Sequence, residues 1–99
     1  MRTLPKISIV IPTYNEENNI KTCLDSLLRQ NYPRKLVELI IVDNGSTDNT
    51  LNILEYYMKN NQNIRLFFNN IAKDAEISKM IGLKSSKGDL FMYLDADIE

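Results

Sequence analysis

The chain has 99 residues, with 12 basic and 13 acidic side chains, one cysteine and no histidine or tryptophan. This length suits one small domain, and 43% hydrophobic with 25% charged residues is the composition of an ordinary folded chain. Without histidine the chain cannot supply a Ser-His-Asp triad, a Cys-His pair or a histidine-bearing zinc site. Any chemistry must come from carboxylates, amines, hydroxyls and amides.

The charge balance and the cysteine count limit the binding partners and the cellular location that we expect for this protein. The formal net charge is -1 and the basic residues are dispersed, so we expect no nucleic-acid partner. No apolar run approaches the roughly 20 residues of a membrane span, and the segment around Pro5 is unlike a secretory signal. Cys23 cannot close an intrachain disulfide, and its apolar neighbours at helical spacing predict a buried thiol. We therefore expect a cytoplasmic location, or the cytoplasmic face of a membrane for a longer parent protein.

Four apolar runs of strand length alternate with three segments of helical periodicity. The side chains of Ser46 and Asp48 suit the start of the second helix, and Gly88 suits the C-terminal cap of the third. In chain order the pattern predicts a strand at Ile7–Ile11, a helix over Ile20–Leu28, a strand at Leu39–Val42, a helix over Leu51–Met58, a strand at Ile64–Phe68, a helix between Asp74 and Gly88, and a strand at Leu90–Leu94.

The strand pattern predicts the fold class. The first, second and fourth apolar runs are nearly continuous, which indicates strands covered on both faces, as in parallel sheets. Alternating strands and helices are typical of a right-handed, doubly wound α/β fold, here with about four parallel strands flanked by three helices. The chain stops two residues after Asp97, with no helix to cover the fourth strand. We therefore expect a piece of a longer protein, truncated after strand four.

Polar side chains collect after three of the predicted strands, in Pro12–Glu17, Asp43–Asp48 and Asp95–Asp97. Ligands of an open parallel sheet bind outside the carboxyl ends of its strands. An extended backbone directs Asp95 and Asp97 to one side, where two like charges need a cation. Hard oxygen ligands without histidine or thiolate favour Mg²⁺ or Mn²⁺. The alternative is that Asp95-Ala96-Asp97 is a solvated turn.

The sequence lacks glycine-rich phosphate loops. Its glycines are Gly45, Gly82 and Gly88, and neither G-x-G-x-x-G nor G-x-x-x-x-G-K-[ST] occurs. This excludes an NAD-type dinucleotide site and a P-loop. A diphosphate brought to an acidic sheet edge would need a bridging metal, with help from helix N-termini and a lysine.

Four segments carry a resemblance to a known family: Pro12–Glu17, Ile41–Thr50, Lys87–Asp89 and Leu94–Asp97. Their order and spacing resemble the family 2 inverting glycosyltransferases of GT-A fold, among them the polyprenyl- and dolichol-phosphate sugar transferases. The resemblance covers nearly the whole chain and implies a Rossmann-like GT-A half with strand order 3-2-1-4. Residues 1–99 would then be the nucleotide-sugar-binding N-terminal part of the domain, without the acceptor-side part.

The resemblance implies roles for individual residues. Asp43 would accept a hydrogen bond from the nucleotide base. Asp95 would lie beside the ribose and the diphosphate, and Asp95 and Asp97 would ligate the metal. The structural alternatives are that Pro12 ends a strand, that Tyr14 packs against the first helix, and that Ser46 and Asp48 cap the second helix. The nucleoside pocket would be lined by Pro12, Thr13, Tyr14 and Glu16.

The third helix departs from the family pattern. Many relatives carry an Arg-Asn pair where this chain has Lys79 and Met80. Lys79 would still offer a positive charge to the diphosphate, although without the bidentate geometry of arginine. Met80 cannot hydrogen-bond as asparagine does, so we assign it to the core with Ile77 and Ile81.

The resemblance implies transfer of a sugar, with inversion, from a UDP- or GDP-sugar to an acceptor hydroxyl in the presence of Mn²⁺ or Mg²⁺. The general base would lie beyond Glu99, so this chain would hold no catalytic residue and would be inactive alone. The alternative is a non-catalytic metal- or nucleotide-binding module or an assembly module. An uncovered fourth strand also predicts a homodimer through that face.

Overall fold

The computed structural model describes residues 4–71 and 74–96. Within them, all the predicted strands and helices are present, and a short 3-10 turn at Arg34–Leu36 precedes the second strand. The elements in chain order are β1 (Ile7–Thr13), α1 (Ile20–Leu28), β2 (Val37–Asp43), α2 (Thr50–Asn60), β3 (Ile64–Phe68), α3 (Ala75–Ser85) and β4 (Leu90–Tyr93).

The four strands form one parallel sheet in the order β3-β2-β1-β4, so the predicted strand order is confirmed. The pairing of β1 with β2 continues to their last residues, where Thr13 is opposite Asp43. On the other side of β1, Val10 is opposite Tyr93, the last residue of β4. The register therefore brings the carboxyl ends of these three strands together at one end of the sheet.

Helices cover both faces of the central strands. On one face, the side chains of Ile9, Ile11 and Ile41 pack in a cluster that includes residues of α1 and α2. On the other face, Val10 and Ile40 pack with a smaller apolar set that includes Ile81 of α3. The continuous apolar runs of β1 and β2 follow from this double cover, because each buried aliphatic side chain contributes about 1.5–3 kcal/mol.

The fourth strand is covered less completely than its apolar sequence predicts. Leu90 and Met92 are 52% and 50% exposed, and they alternate with the half-buried Phe91 and Tyr93. Phe91 and Tyr93 pack in the cluster on the α3 side. The opposite face of β4 is therefore open to solvent at Leu90 and Met92.

Two expectations for the third helix are wrong. Met80 is 55% exposed, because α3 turns its small residues Ser78 and Gly82 to the sheet, and a Cβ on Gly82 would lie only 2.4 Å from Val10 Cγ1. The C-terminal cap of α3 is Ser86 and not Gly88. Gly88 instead allows a close approach to β1, since a Cβ there would lie 2.8 Å from the backbone nitrogen of Ser8.

Candidate functional site

A cleft of ≈ 400 Å³ lies at the carboxyl ends of β1, β2 and β4. Five predicted site residues line it, namely Pro12, Thr13, Tyr14, Glu16 and Asp95. Asp43 and Lys79 are not among its described lining, and Asp97 lies outside the described residues. The remaining lining comes from Asn44 after β2, from Asp74, Ala75 and Ser78 at the start of α3, and from Tyr93 and Ala96.

The Asp43 carboxylate is buried, with 1% of the residue exposed, and it accepts four hydrogen bonds. The hydroxyls of Thr13 and Ser46 donate to Oδ1 at 2.7 and 2.6 Å. The backbone N–H groups of Gly45 and Ser46 donate to Oδ2 at 3.1 and 2.8 Å. Gly45 has φ +92°, a left-handed conformation that glycine adopts readily in a turn. The assignment of Ser46 as a helix cap is therefore wrong, because its hydroxyl binds Asp43.

Asn15 joins the loop after β1 to the loop after β2. Its side-chain oxygen accepts the N–H groups of Thr47 and Asp48 at 2.8 and 3.3 Å, and its own N–H donates to Ser46 Oγ at 2.9 Å. It has φ +51°, a left-handed conformation in which asparagine is several-fold enriched. The sequence reasoning missed Asn15, although an asparagine between two predicted pocket residues was a usable signal.

Asp48 connects the same loops to the start of α2. Its Oδ1 accepts the N–H of Thr50 at 2.9 Å and its Oδ2 accepts the N–H of Glu17 at 3.3 Å, so it binds the first residue of α2, although the cap residue of this helix is Asn49 and not Asp48. Partial burial acts to raise the pKa of Asp48, but the hydrogen bonds from Thr50 and Glu17 outweigh it and the pKa lies below its ordinary value. The hydroxyl of Thr50 in turn accepts the N–H of Glu16 at 2.8 Å. The cleft wall at Glu16 is thus fixed to the first turn of α2.

A buried amide cluster fixes the start of α3 beside the cleft. The amide nitrogen of Asn44 donates to the backbone oxygens of Thr13 and Val42 at 3.2 and 3.3 Å. Its oxygen accepts the amide of Asn69 at 2.7 Å and the hydroxyl of Ser78 at 2.8 Å. These polar side chains are buried with their hydrogen-bonding groups satisfied, which favours one arrangement of the loop ends. The sequence did not predict this cluster.

The wall of the cleft that is formed by the end of β4 and the start of α3 is acidic. Burial, and then the negative charges of Asp95, Glu76 and Asp74, raise the pKa of Tyr93. The Lys79 ammonium lies 5.7 Å from the centroid of the Tyr93 ring, within the range of a cation–π contact. A diphosphate entering beside Asp95 would therefore meet negative charge and would need a positive counter-charge.

The donor set at this wall fits a hard divalent cation only in part. Among residues 4–71 and 74–96, no three acidic or cysteine side chains are grouped closely enough to hold a metal ion. Asp95 is exposed in the cleft, and the second predicted ligand, Asp97, lies outside those residues. Mg²⁺ characteristically uses one or two carboxylates and completes its shell with water and substrate phosphates. The chemistry of Asp95 and Asp97 therefore suits a cation that arrives with a diphosphate.

Comparison with solved structures assigns the fold to a class. The structure of S. aureus TarS residues 1–349 in complex with UDP-GlcNAc matches with a TM-score of 0.83 and 33% identity, over 93% of this chain and 26% of that one. The mannosyltransferase PcManGT from Pyrobaculum calidifontis, in complex with GDP-Man and Mn²⁺, matches with a TM-score of 0.87 and 27% identity, over 94% of this chain and 28% of that one. The fold is that of the GT-A glycosyltransferases.

The family follows from the sequence comparison. The model for glycosyl transferase family 2 matches residues 8–99, so the chain belongs to this family and the resemblance is confirmed. Glycosyltransferase AglE of Haloferax volcanii is 34% identical over 96% of this chain and 31% of its own length. The poly(ribitol-phosphate) beta-glucosyltransferase of Bacillus spizizenii is 39% identical over 93% of this chain and 15% of its own length. The chain thus spans less than a third of these relatives. In the part of the chain that the structure describes, no helix is long and apolar enough to cross a membrane.

Proposed function

We propose that the chain is the donor-binding part of a metal-dependent glycosyltransferase that uses a UDP- or GDP-sugar and transfers the sugar with inversion. The observation that supports this most is the cleft at the ends of β1, β2 and β4, lined by Thr13, Glu16 and Asp95. Structural neighbours were solved with UDP-GlcNAc and with GDP-Man and Mn²⁺. Residues 1–99 would form the nucleotide-sugar-binding part of a longer domain.

The nucleotide would lie between the two walls of the cleft. Tyr14 is 41% exposed and lines one wall with Pro12, Thr13 and Glu16, where its ring would stack on the base. Asp95, on the other wall, would lie beside the ribose and the diphosphate. A divalent cation held by Asp95 and Asp97 would supply positive charge to the diphosphate when bound. Lys79, on its flexible stem above Tyr93, is the candidate for one more phosphate contact.

In the transfer step, the acceptor oxygen would form a bond to the anomeric carbon while the bond from that carbon to the diphosphate oxygen breaks. The proton of the acceptor hydroxyl would pass to a carboxylate base. We place this base in an acceptor-side part that follows Glu99, so the 99 residues would bind the donor without transferring the sugar. The cytoplasm, or the cytoplasmic face of a membrane, stays our prediction for where the parent protein acts.

Titration calorimetry of the chain with UDP and with GDP, in the presence and absence of Mn²⁺, tests the proposal. We expect Mn²⁺ to raise the affinity for one of the two by about tenfold or more, since carboxylates and phosphates repel each other without a cation. Asp97→Ala should remove this gain. The control is Glu55→Ala, which deletes an exposed carboxylate on α2 and should change nothing.

Two other results of the titration would overturn different parts of the proposal. Equal affinity with and without Mn²⁺ would overturn the metal dependence and leave nucleotide binding intact. If neither nucleotide binds under any condition, the donor-binding proposal is wrong and an assembly module becomes the better account of the acidic cleft.

A further inference from the structure

The carboxylate of Asp43 has its full complement of hydrogen bonds. An ionised carboxylate offers about four acceptor positions, two on each oxygen. In Asp43, two hydroxyls occupy Oδ1 and two backbone N–H groups occupy Oδ2, all at 2.6 to 3.1 Å. The residue is 1% exposed and is not among the described lining of the cleft. A nucleotide base would therefore find neither a vacant acceptor nor a path to it.

The groups that occupy Asp43 belong to the cleft wall. Thr13, which donates to Oδ1, lines the cleft itself. Ser46, which donates to the same oxygen, accepts the N–H of Asn15. Asn15 lies between Tyr14 and Glu16, which both line the cleft. One carboxylate thus fixes the wall directly at Thr13 and, through Ser46, at Asn15.

We propose that Asp43 is a positioning residue, which acts on the nucleotide through Thr13 and the Ser46–Asn15 hydrogen bond and makes no contact with the base. The proposal rests on nucleotide binding in the cleft, and it replaces the base contact expected from the family resemblance. Loss of a positioning residue lowers the affinity for all nucleotides by the same factor, whereas loss of a base contact changes the relative affinities for nucleotides with different bases.

Two substitutions separate these roles. In Asp43→Asn, the remaining oxygen can accept both backbone N–H groups, and the new NH₂ group can donate to the two hydroxyls, because a hydroxyl also accepts hydrogen bonds. In Asp43→Ala, the N–H groups of Gly45 and Ser46 lose their acceptor and both hydroxyls lose theirs. The asparagine variant should therefore keep the wall in place, and the alanine variant should not.

The experiment measures the affinities of the wild-type chain and both variants for UDP, CDP and GDP with Mn²⁺, with Glu55→Ala as control. UDP and CDP differ only at the hydrogen-bonding edge of the pyrimidine. We expect Asp43→Ala to lower the affinity for each nucleotide by the same factor, tenfold or more. The ratio of the UDP affinity to the CDP affinity should stay within about twofold of wild type. Asp43→Asn should recover most of the affinity for each. A UDP to CDP ratio that changes in Asp43→Asn would overturn the proposal, because this variant keeps the wall in place and only a direct base contact would then produce that change.

A second measurement, on the chain without nucleotide, tests the hydrogen-bond relay, which runs from Asp43 through Ser46 to Asn15. Amide hydrogen exchange at Asn15 and Ser46 should become faster in Asp43→Ala and stay close to wild type in Asp43→Asn, with circular dichroism showing that both variants are folded. Unchanged exchange at Asn15 in folded Asp43→Ala would overturn the relay. If the wild-type chain binds no nucleotide, the proposed function is wrong, while the exchange data still decide the relay.

Discussion

Asn15 contributes to the site through one side chain and one unusual backbone conformation. Its oxygen accepts two N–H groups of the loop after β2, and its φ of +51° allows this geometry. Alanine at this position would leave both N–H groups without their acceptor and would adopt the left-handed conformation less readily than asparagine.

We therefore expect Asn15→Ala to lower the free energy of unfolding by about 1–3 kcal/mol. Urea denaturation of both proteins measures this change. The matched control is Asn18→Ala, an exposed asparagine in the same loop, which should stay within about 0.5 kcal/mol of wild type. Equal losses for the two variants would show that the contacts of Asn15 do not stabilise the loops.

Glu38 links three strands to the connection between α3 and β4. Its carboxylate accepts the hydroxyl of Ser8 on β1 at 2.5 Å, the guanidinium of Arg65 on β3 at 2.8 Å and the N–H of Lys87 at 2.5 Å. Ser8 also accepts the N–H of Gly88 at 2.8 Å. The connection is therefore held on the sheet at Lys87 and Gly88, immediately before β4 begins.

The pKa of Glu38 predicts how this link responds to pH. Burial acts to raise the pKa, but the hydrogen bonds from Ser8 and Lys87 and the pairing with Arg65 outweigh it, so the pKa lies below the ordinary 4.5. A pKa lower in the folded state than in the unfolded state means that the unfolded chain binds the proton more readily. The stability that Glu38 contributes is therefore complete above pH 4.5 and is lost as the pH falls through the folded-state pKa.

Glu38→Gln tests this dependence. We expect the variant to be less stable than wild type by about 1–3 kcal/mol at pH 7, because Arg65 loses its charged partner and an amide accepts fewer hydrogen bonds. The difference should shrink as the pH falls below 4.5. Urea denaturation from pH 7 to pH 3 measures both effects, with Glu55→Gln as the exposed control. A constant difference across this range would contradict the assignment.

Across the whole molecule, the strands and helices were predictable from local sequence patterns, whereas the strand order came from the family resemblance. Continuous apolar runs predicted β1 and β2, and both are covered on two faces. Met80 was misassigned because its apolar character was counted without the small residues on the other side of α3. Ser78 and Gly82 let that helix approach the sheet closely, and Met80 is left outside.

The candidate site was predictable only in part. Composition and resemblance selected Thr13, Tyr14, Glu16 and Asp95, which do line one cleft. The supporting hydrogen bonds were not visible, because they join residues about thirty positions apart, such as Asn15 with Thr47 and Asn44 with Ser78. The first pair depends on the register of β1 against β2 and on the conformation of two loops, and the second on the packing of α3 against the sheet. Side-chain types at fixed spacing contain no information on either.

The solvent-facing side of β4 predicts how the 99-residue chain behaves at high concentration. Within the described residues, β4 pairs with β1 and forms one edge of the sheet, and its Leu90 and Met92 are about half exposed. An open edge presents unpaired N–H and C=O groups, and exposed apolar area costs roughly 25 cal/mol per Å². A second copy that pairs along this edge would bury both.

We therefore predict that the chain self-associates through β4 at high micromolar concentration, and that sedimentation velocity will detect the dimer. Met92→Lys places a charge on the open face and should shift the chain toward monomer, because a lysine on an edge strand disfavours pairing. The matched control is Phe68→Lys, which introduces the same charge at a 55% exposed residue of β3, on the other edge of the sheet, and should leave the dimer intact. A wild-type chain that stays monomeric at these concentrations would exclude the association, and a dimer lost only in Phe68→Lys would move it to β3.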